Sequence, residues 1–98
     1  MTISLDTVVV RDNRASAVNL HGGLVVFGMN AGAYFDFNQT GEAIWELLAN
    51  STRMNDLLNG LLEAYCVPPN LLTTDLFDFI QYLIDHHLVL VVSTAETI

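Results

Sequence analysis

The side chains that could bind a metal are few and far apart in this sequence. His86 and His87 are adjacent, so on a helix they point about 100° apart and cannot share one ion. His21 lies in a distant turn, and no Cys/His spacing typical of a zinc site is present. We therefore predict no metal site, and we expect the paired histidines to lie at a helix end, near the negative pole of its dipole.

Nucleophilic and acid–base chemistry have as little support. Cys66 has no histidine close to it in sequence, and its apolar neighbours predict a buried structural thiol. The paired acids Glu42/Glu46 and Asp75/Asp78 lie at helical spacing and are expected on solvated faces or at caps. No glycine run precedes a helix in a phosphate-binding pattern. We therefore predict no catalytic residue and no cofactor, and the protein is not expected to be an enzyme.

Composition restricts the partners. The 98 residues are 52% hydrophobic, enough for one domain with a modest core. Three arginines, no lysine and eleven acids give a net charge of −8, which disfavours nucleic acid and anionic membranes. Such a domain suits a neutral or basic partner such as a peptide. The N-terminus has neither a basic region nor a long apolar run, so a cytoplasmic location is expected.

Three strands are predicted in the first third of the chain. Ala15–Leu20 alternates weakly, Leu24–Phe27 is a short apolar run, and Ala33–Phe37 alternates clearly between apolar and polar residues. Glycine-containing turns separate them, which predicts a three-stranded antiparallel meander. Val8–Val10 is a further short β-branched run.

Helical spacing of apolar side chains predicts three helices after the strands. Asn38 can cap the first helix and Thr52 the second. The prolines after Val67 are expected to end the second helix. The apolar stripe predicted for the first helix consists of Ala43, Ile44, Leu47 and Leu48.

The third helix is predicted from about Thr74 to His87, with a short closing strand over Leu88–Val92. The order indicates an α+β winged helix-turn-helix fold, a three-stranded antiparallel sheet followed by three helices. In such domains the third helix usually enters the DNA major groove. This one has no lysine or arginine and carries three aspartates, which phosphates would repel.

Peptide binding fits the pattern better. Strand 33–37 is expected at an edge of the meander, where unpaired N–H and C=O groups can accept an added strand. Leu76, Ile80 and Leu83 form the core line of the third helix, and aromatic residues widen its apolar surface on both flanks. One flank is expected to line a groove; the alternative is that both pack in the core. The predicted peptide-binding residues are Ala33, Tyr34, Phe35, Asp36, Phe37, Asp75, Leu76, Phe79, Tyr82 and Leu83.

The chain resembles the PqqD-like family, the precursor-peptide recognition elements of ribosomal peptide natural-product biosynthesis. The resemblance covers about residues 15–92 and leaves residues 1–14 as an extra N-terminal segment of one domain spanning residues 1–98. The segments that carry it are GGLVVFGMNAGAYFDFNQTGEAIWELLAN and TDLFDFIQYLIDHHLV, in that order.

The resemblance implies a non-catalytic domain that binds the leader region of a precursor peptide as an extra strand on the third strand, in a cleft closed by the third helix. The stand-alone lasso-peptide type is most similar, and there the domain delivers the leader to a cysteine leader peptidase. The alternative within the family is a peptide chaperone for a radical SAM maturation enzyme. A winged-helix DNA-binding regulator and a dimerisation module are the alternatives outside it, and the sequence leaves a homodimer open.

Overall fold

The computed structural model of the chain describes residues 3–20, 23–28 and 32–93. His21 and parts of the two predicted turns, residues 21–22 and 29–31, lie outside the described residues. The elements in chain order are β1 (Val8–Arg11), β2 (Ala15–Leu20), β3 (Gly23–Gly28), β4 (Ala33–Phe37), α1 (Gln39–Leu47), β5 (Thr52–Arg53), α2 (Met54–Ala64), α3 (Pro69–Asp85) and β6 (Val89–Ser93).

The predicted meander is present as an antiparallel sheet in the order β2-β3-β4. Val26 lies opposite Phe35, and both side chains are buried in the core. Their neighbours on the other face are half-buried or exposed, as the period of two along a strand requires. The strand β4 forms one edge of the sheet, which confirms its predicted position.

A second antiparallel sheet, in the order β5-β1-β6, accompanies the meander. β1 lies in its centre and buries Val9 completely. β6 is the predicted closing strand, and it pairs with β1 over four positions. The predicted α+β winged helix-turn-helix class is confirmed, and β1, from the N-terminal segment, joins the first part of the chain to its last strand.

The start of α1 is as predicted, and its buried face is partly so, because Ile44 and Leu48 are buried. The side chain of Asn38 accepts a hydrogen bond from the backbone N–H of Gly41 at 2.8 Å, which caps the helix. Leu47 was predicted in the core stripe, but its side chain is 45% exposed. The buried face instead runs through Gly41, Ile44 and Trp45 to Leu48, a spacing of three, four and seven residues.

Three local predictions about α2 and α3 are wrong. Thr52 does not cap α2; it lies in β5, and its hydroxyl donates to backbone carbonyl oxygens. α3 begins at Pro69, a full turn before the predicted start, because proline is well suited to the first turn of a helix. Cys66 is exposed rather than buried, since it lies in the connection between α2 and α3.

An ion pair between the buried Asp12 and the exposed Arg14 closes the turn between β1 and β2. The Asp12 side chain is buried and accepts hydrogen bonds from Nε and Nη2 of Arg14 at 3.1 and 2.9 Å. These side-chain bonds, with a further one from the backbone N–H of Arg14, hold the pKa of the Asp12 carboxyl below its ordinary value of 3.8. The ionised form is therefore favoured more strongly in the folded protein than in the unfolded chain.

The Asp12–Arg14 pair predicts a pH-dependent contribution to stability. A carboxyl group whose pKa is lowered by folding stabilises the protein above its ordinary pKa, and this stabilisation disappears as the pH falls through the folded-state value. Asp12→Asn is therefore expected to lower the free energy of unfolding at neutral pH and to have a smaller effect below the ordinary pKa of 3.8. Urea denaturation of both proteins across this range measures the difference. Asp6→Asn, at an exposed position, is the control; an Asp12 effect that does not change with pH would contradict this origin.

Candidate functional site

The strand β4 and the helix α3 lie side by side in opposite directions. The ring of Phe35 meets that of Tyr82 edge-on with centroids 6.1 Å apart, and Phe37 meets Phe79 in the same way at 5.4 Å. Tyr82 also packs against the ring of His86 at 4.2 Å, so it is held from two sides while 45% of it remains exposed. These aromatic contacts fix α3 beside the open edge of the sheet.

A cavity of about 330 Å³ opens where β4 ends. Phe37 and Phe79 give it an aromatic wall, and the exposed carboxylates of Asp36 and Asp75 give it a negative charge. The cavity can therefore take an apolar group and favours a positive charge beside it. The residues lining it are Asp36, Phe37, Asn38, Thr40, Gly41, Asp75 and Phe79.

Gly41 gives the cavity its shape. A Cβ atom at this position would lie 3.3 Å from Cβ of Phe37 and 3.3 Å from Cζ of Phe79. A side chain at this position would therefore require Phe37 or Phe79 to shift by a few tenths of an ångström. The sequence analysis did not place Thr40 or Gly41 in the site. The predicted cap residue Asn38 was a signal for them, because its side chain bonds the backbone N–H of Gly41 and so holds this turn beside the end of β4.

A smaller apolar cavity of about 170 Å³ continues along α3 and shares Thr40 and Asp75 with the first. It reaches Val67 and Leu71, which are both exposed apolar residues. Leu71 was missed because α3 was predicted to start after it; in the longer helix it lies one turn before Asp75 on the same face. We call the two cavities and the adjoining edge of β4 the β4–α3 cleft.

The edge of β4 leaves the backbone N–H and C=O groups of Tyr34 and Asp36 facing outward. Leu20 pairs with Gly23 with only two residues between them, a spacing at which the pair exchanges hydrogen bonds. Hydrogen-bonded and non-bonded pairs alternate along antiparallel strands. The backbone N–H and C=O groups of Leu24, and of every second residue after it in β3, therefore bond β4 and not β2. Their partners in β4 are Ala33, Phe35 and Phe37. The residues between these, Tyr34 and Asp36, turn their backbone groups away from β3 and can therefore bond an added strand.

The structure brings the side chains of half of the ten predicted residues to this cleft. Ala33 and Phe35 contribute to the strand, with the Phe35 ring turned into the core, and Tyr34 is 74% exposed on the other face of the sheet. Leu76 and Leu83 do not reach the surface, with side chains 1% and 0% exposed, and belong to the core. The predicted residues whose side chains lie at the cleft are Asp36, Phe37, Asp75 and Phe79, which line its larger cavity, and Tyr82, which packs beside β4 against Phe35.

The described ranges contain no group of three or more histidine, cysteine, aspartate or glutamate side chains placed to hold a metal ion. Within the same ranges, no helix combines the length and the apolar character needed to cross a bilayer. The site is defined by the shape of its cavities, the open backbone edge of β4 and the negative charge of Asp36 and Asp75.

The fold and the cleft together define a class of protein, a winged helix-turn-helix domain with an acidic third helix beside an open strand edge. Residues 23–89, more than half of the chain, match the family described as coenzyme PQQ synthesis protein D (PqqD). The chain therefore belongs to the PqqD family, which confirms the resemblance seen in the sequence.

Two solved structures share the fold. The first is described as TbiB1 in complex with the TbiA(beta) leader peptide; it is 22% identical, with a TM-score of 0.73 over 89% of this chain and 99% of that chain. The second is described as lasso peptide synthetase B1 complexed with the leader peptide; it is 20% identical, with a TM-score of 0.72 over 84% of this chain and 96% of that chain. No curated protein matches the sequence.

Proposed function

We propose that this protein binds the leader region of a ribosomally made precursor peptide by strand addition to β4, in the β4–α3 cleft. The observation that carries the proposal is the open edge of β4 beside a cavity with an aromatic wall. The backbone groups of Tyr34 and Asp36 would bind any extended peptide, and the cavity would select a side chain. Both structural neighbours, described as complexes with leader peptides, support this assignment.

The charge of the cleft favours a basic leader. Asp36 and Asp75 flank the cavity, and the whole chain carries a net charge of −8. A leader that is disordered in solution loses entropy on binding, so its affinity should be moderate and concentrated in a few side chains. We expect an apolar or aromatic leader residue in the cavity with a lysine or arginine close to it.

The protein itself is proposed to be non-catalytic and to act in the cytoplasm on behalf of a processing enzyme. We favour a cysteine leader peptidase of lasso-peptide biosynthesis as this enzyme, because one structural neighbour is described as a lasso peptide synthetase B1. Binding would raise the concentration of the leader near that enzyme and so increase its rate. The description of the PqqD family favours a second candidate, a peptide chaperone for a radical SAM maturation enzyme.

Calorimetric titration with a synthetic leader peptide tests the binding role. The peptide is taken from the short reading frame next to this gene, and its scrambled sequence is the control. We expect saturable binding with a Kd of about 1 μM, equivalent to about −8 kcal/mol. A folded domain that binds no neighbouring leader would contradict the proposal and would favour the dimerisation-module alternative.

Tyr82→Ala is expected to weaken leader binding about tenfold and to leave the fold nearly intact, since the side chain is half exposed beside Phe35. Calorimetry gives the affinity, and thermal unfolding gives the stability. Leu47→Ala is the matched control, because Leu47 is equally exposed but lies on α1, whereas Tyr82 lies on α3 against the Phe35 ring of β4. A large loss of thermal stability with Tyr82→Ala would instead identify Tyr82 as a core residue.

A further inference from the structure

A larger cavity, of about 580 Å³, lies between the two sheets. We call it the inter-sheet cavity. Its lining residues come from β1, β2, β6 and α1 and are separate from those of the β4–α3 cleft. They include Val10, Arg11, Ala15, Ala17, Trp45 and Leu90.

The cavity is open because β2 extends beyond the core. Ala17 lies opposite the completely buried Val26 in the meander, so the two side chains share a face, yet Ala17 is exposed. Its small side chain leaves room beneath β2. In addition, β2 pairs with β3 along one edge only, and its other edge has no strand beside it in the described part of the chain. The cavity thus has a mixed lining, with polar residues of the turn after β1 beside small and apolar side chains, and it adjoins a second open strand edge.

Arg11 supplies a positive charge to this cavity. Its guanidinium lies 5.4 Å from the ring centroid of Trp45, and Nη1 donates to the carbonyl oxygen of the same residue at 3.2 Å. Its backbone N–H donates to the carbonyl oxygen of Leu48 at 3.0 Å, which fixes the end of β1. Among the hydrogen bonds of the described residues, the bond to Trp45 uses one of the five N–H donors of the Arg11 guanidinium. The other donors can bond a ligand.

The charges of Asp12 and Arg14 neutralise each other, so Arg11 is the charge in this cavity that can pair with a ligand. Asp12 also lines the cavity, but both of its carboxylate oxygens accept hydrogen bonds from Arg14. Arg11 and Arg14 are two of the three basic residues of a chain with eleven acids. The charge here is therefore opposite in sign to that of the β4–α3 cleft, where Asp36 and Asp75 lie.

We propose that the inter-sheet cavity is a second binding site, which takes an extended segment of a partner protein through one carboxylate paired with Arg11 and through small apolar side chains on the same face of the segment. The guanidinium fork matches a carboxylate, and contact with Trp45 already holds it in place. The apolar side chains of the cavity contact the residues two positions to either side of the carboxylate, which share its face of an extended segment, and the free edge of β2 bonds the backbone of the segment. The inference does not depend on leader binding at β4.

A capped pentapeptide, with glutamate in the centre, serine on both sides and valine at each end, is a suitable probe, because glutamate and the two valines share one face of an extended chain. Amide-resolved NMR titration of the whole chain is expected to show saturable shifts at Ala15, Ala17, Ala49 and the Trp45 indole, with a Kd of about 1 mM. Exchanging the central glutamate for glutamine should weaken binding about tenfold, because one charged hydrogen-bonded pair is lost. Arg11→Gln should have the same effect.

Three further variants keep the test decisive. Arg53→Gln removes the same charge elsewhere and should leave binding unchanged. Arg11→Lys should retain part of the affinity, and Ala17→Asp, at an exposed position, should weaken binding while keeping the contact between Arg11 and Trp45. Leader affinity should be unchanged in Arg11→Gln, which separates this site from the β4–α3 cleft.

Several results would overturn the proposal. One is the absence of shifts at these residues at millimolar peptide. Another is equal affinity for the glutamate and glutamine peptides. A third is a loss of peptide affinity in Arg53→Gln as large as that in Arg11→Gln. Either result would show that Arg11 does not select the carboxylate. Shifts confined to β4 and α3 would mean that the peptide uses the leader cleft instead.

Discussion

Asp36→Pro is expected to reduce leader affinity about a hundredfold while the domain stays folded. Asp36 turns its backbone N–H to the open edge of β4, so proline would remove a donor that an added strand needs. Its ring would also occupy the space of the incoming backbone. Because that N–H does not bond β3, the meander itself should tolerate the change, as edge strands do. Calorimetric titration with the leader gives the loss of affinity.

Two variants separate the backbone from other effects. Asp36→Asn keeps the N–H and removes only the charge, so it should lose far less affinity than the proline variant. Asn19→Pro places proline on β2, at the opposite edge of the same sheet, and should leave leader binding unchanged. If Asn19→Pro lost as much affinity as Asp36→Pro, general damage to the sheet would explain both losses, which contradicts a specific role of the Asp36 N–H in leader binding.

Leu48→Ala is expected to lower the free energy of unfolding by about 2–5 kcal/mol. The Leu48 side chain is fully buried, and its removal leaves a void among Ile44, Trp45 and the neighbouring core residues. Single small domains have marginal stability, so a loss of this size would move the thermal midpoint strongly. Urea denaturation measures the change.

The adjacent residue provides the control. Leu47 is 45% exposed, so Leu47→Ala should cost about 0.5 kcal/mol or less. The two variants remove the same atoms from neighbouring positions of the same chain. Equal losses would mean that Leu47 also packs in the core, and the orientation of α1 described above would be wrong.

The strands were predictable because alternation and turns are local signals. Ala33–Phe37 alternates over its whole length and is β4 with the same bounds, and the cap residue Asn38 fixed the junction to α1. The edge position of β4 also followed from chain order, because successive antiparallel strands are usually neighbours. This much of the site, the open strand beside an aromatic helix, came from the sequence alone.

The remaining features depend on tertiary contacts. The buried face of α1 includes Gly41, which is not apolar in sequence but lies buried where Phe37 and Phe79 approach it. Counting apolar residues alone therefore shifted the stripe onto Leu47. The second sheet joins β1 to β6 across most of the chain, a pairing that no local pattern specifies. The β4–α3 cleft and the inter-sheet cavity arise from such contacts, so their lining residues were only partly predictable.

The contact of Trp45 with Phe37 has a practical consequence. Trp45 is the single tryptophan of the chain and is 3% exposed. Its ring meets Phe37, a wall of the β4–α3 cleft, at a centroid distance of 5.7 Å, and it also lines the inter-sheet cavity under Arg11. Indole emission depends on local polarity and on nearby charge, so one native fluorophore lies within reach of both sites. The fluorescence of the unlabelled protein can therefore report a ligand at either site. The direction of the shift in Trp45 emission can distinguish a movement of the Phe37 ring in the cleft from neutralisation of the Arg11 guanidinium in the inter-sheet cavity.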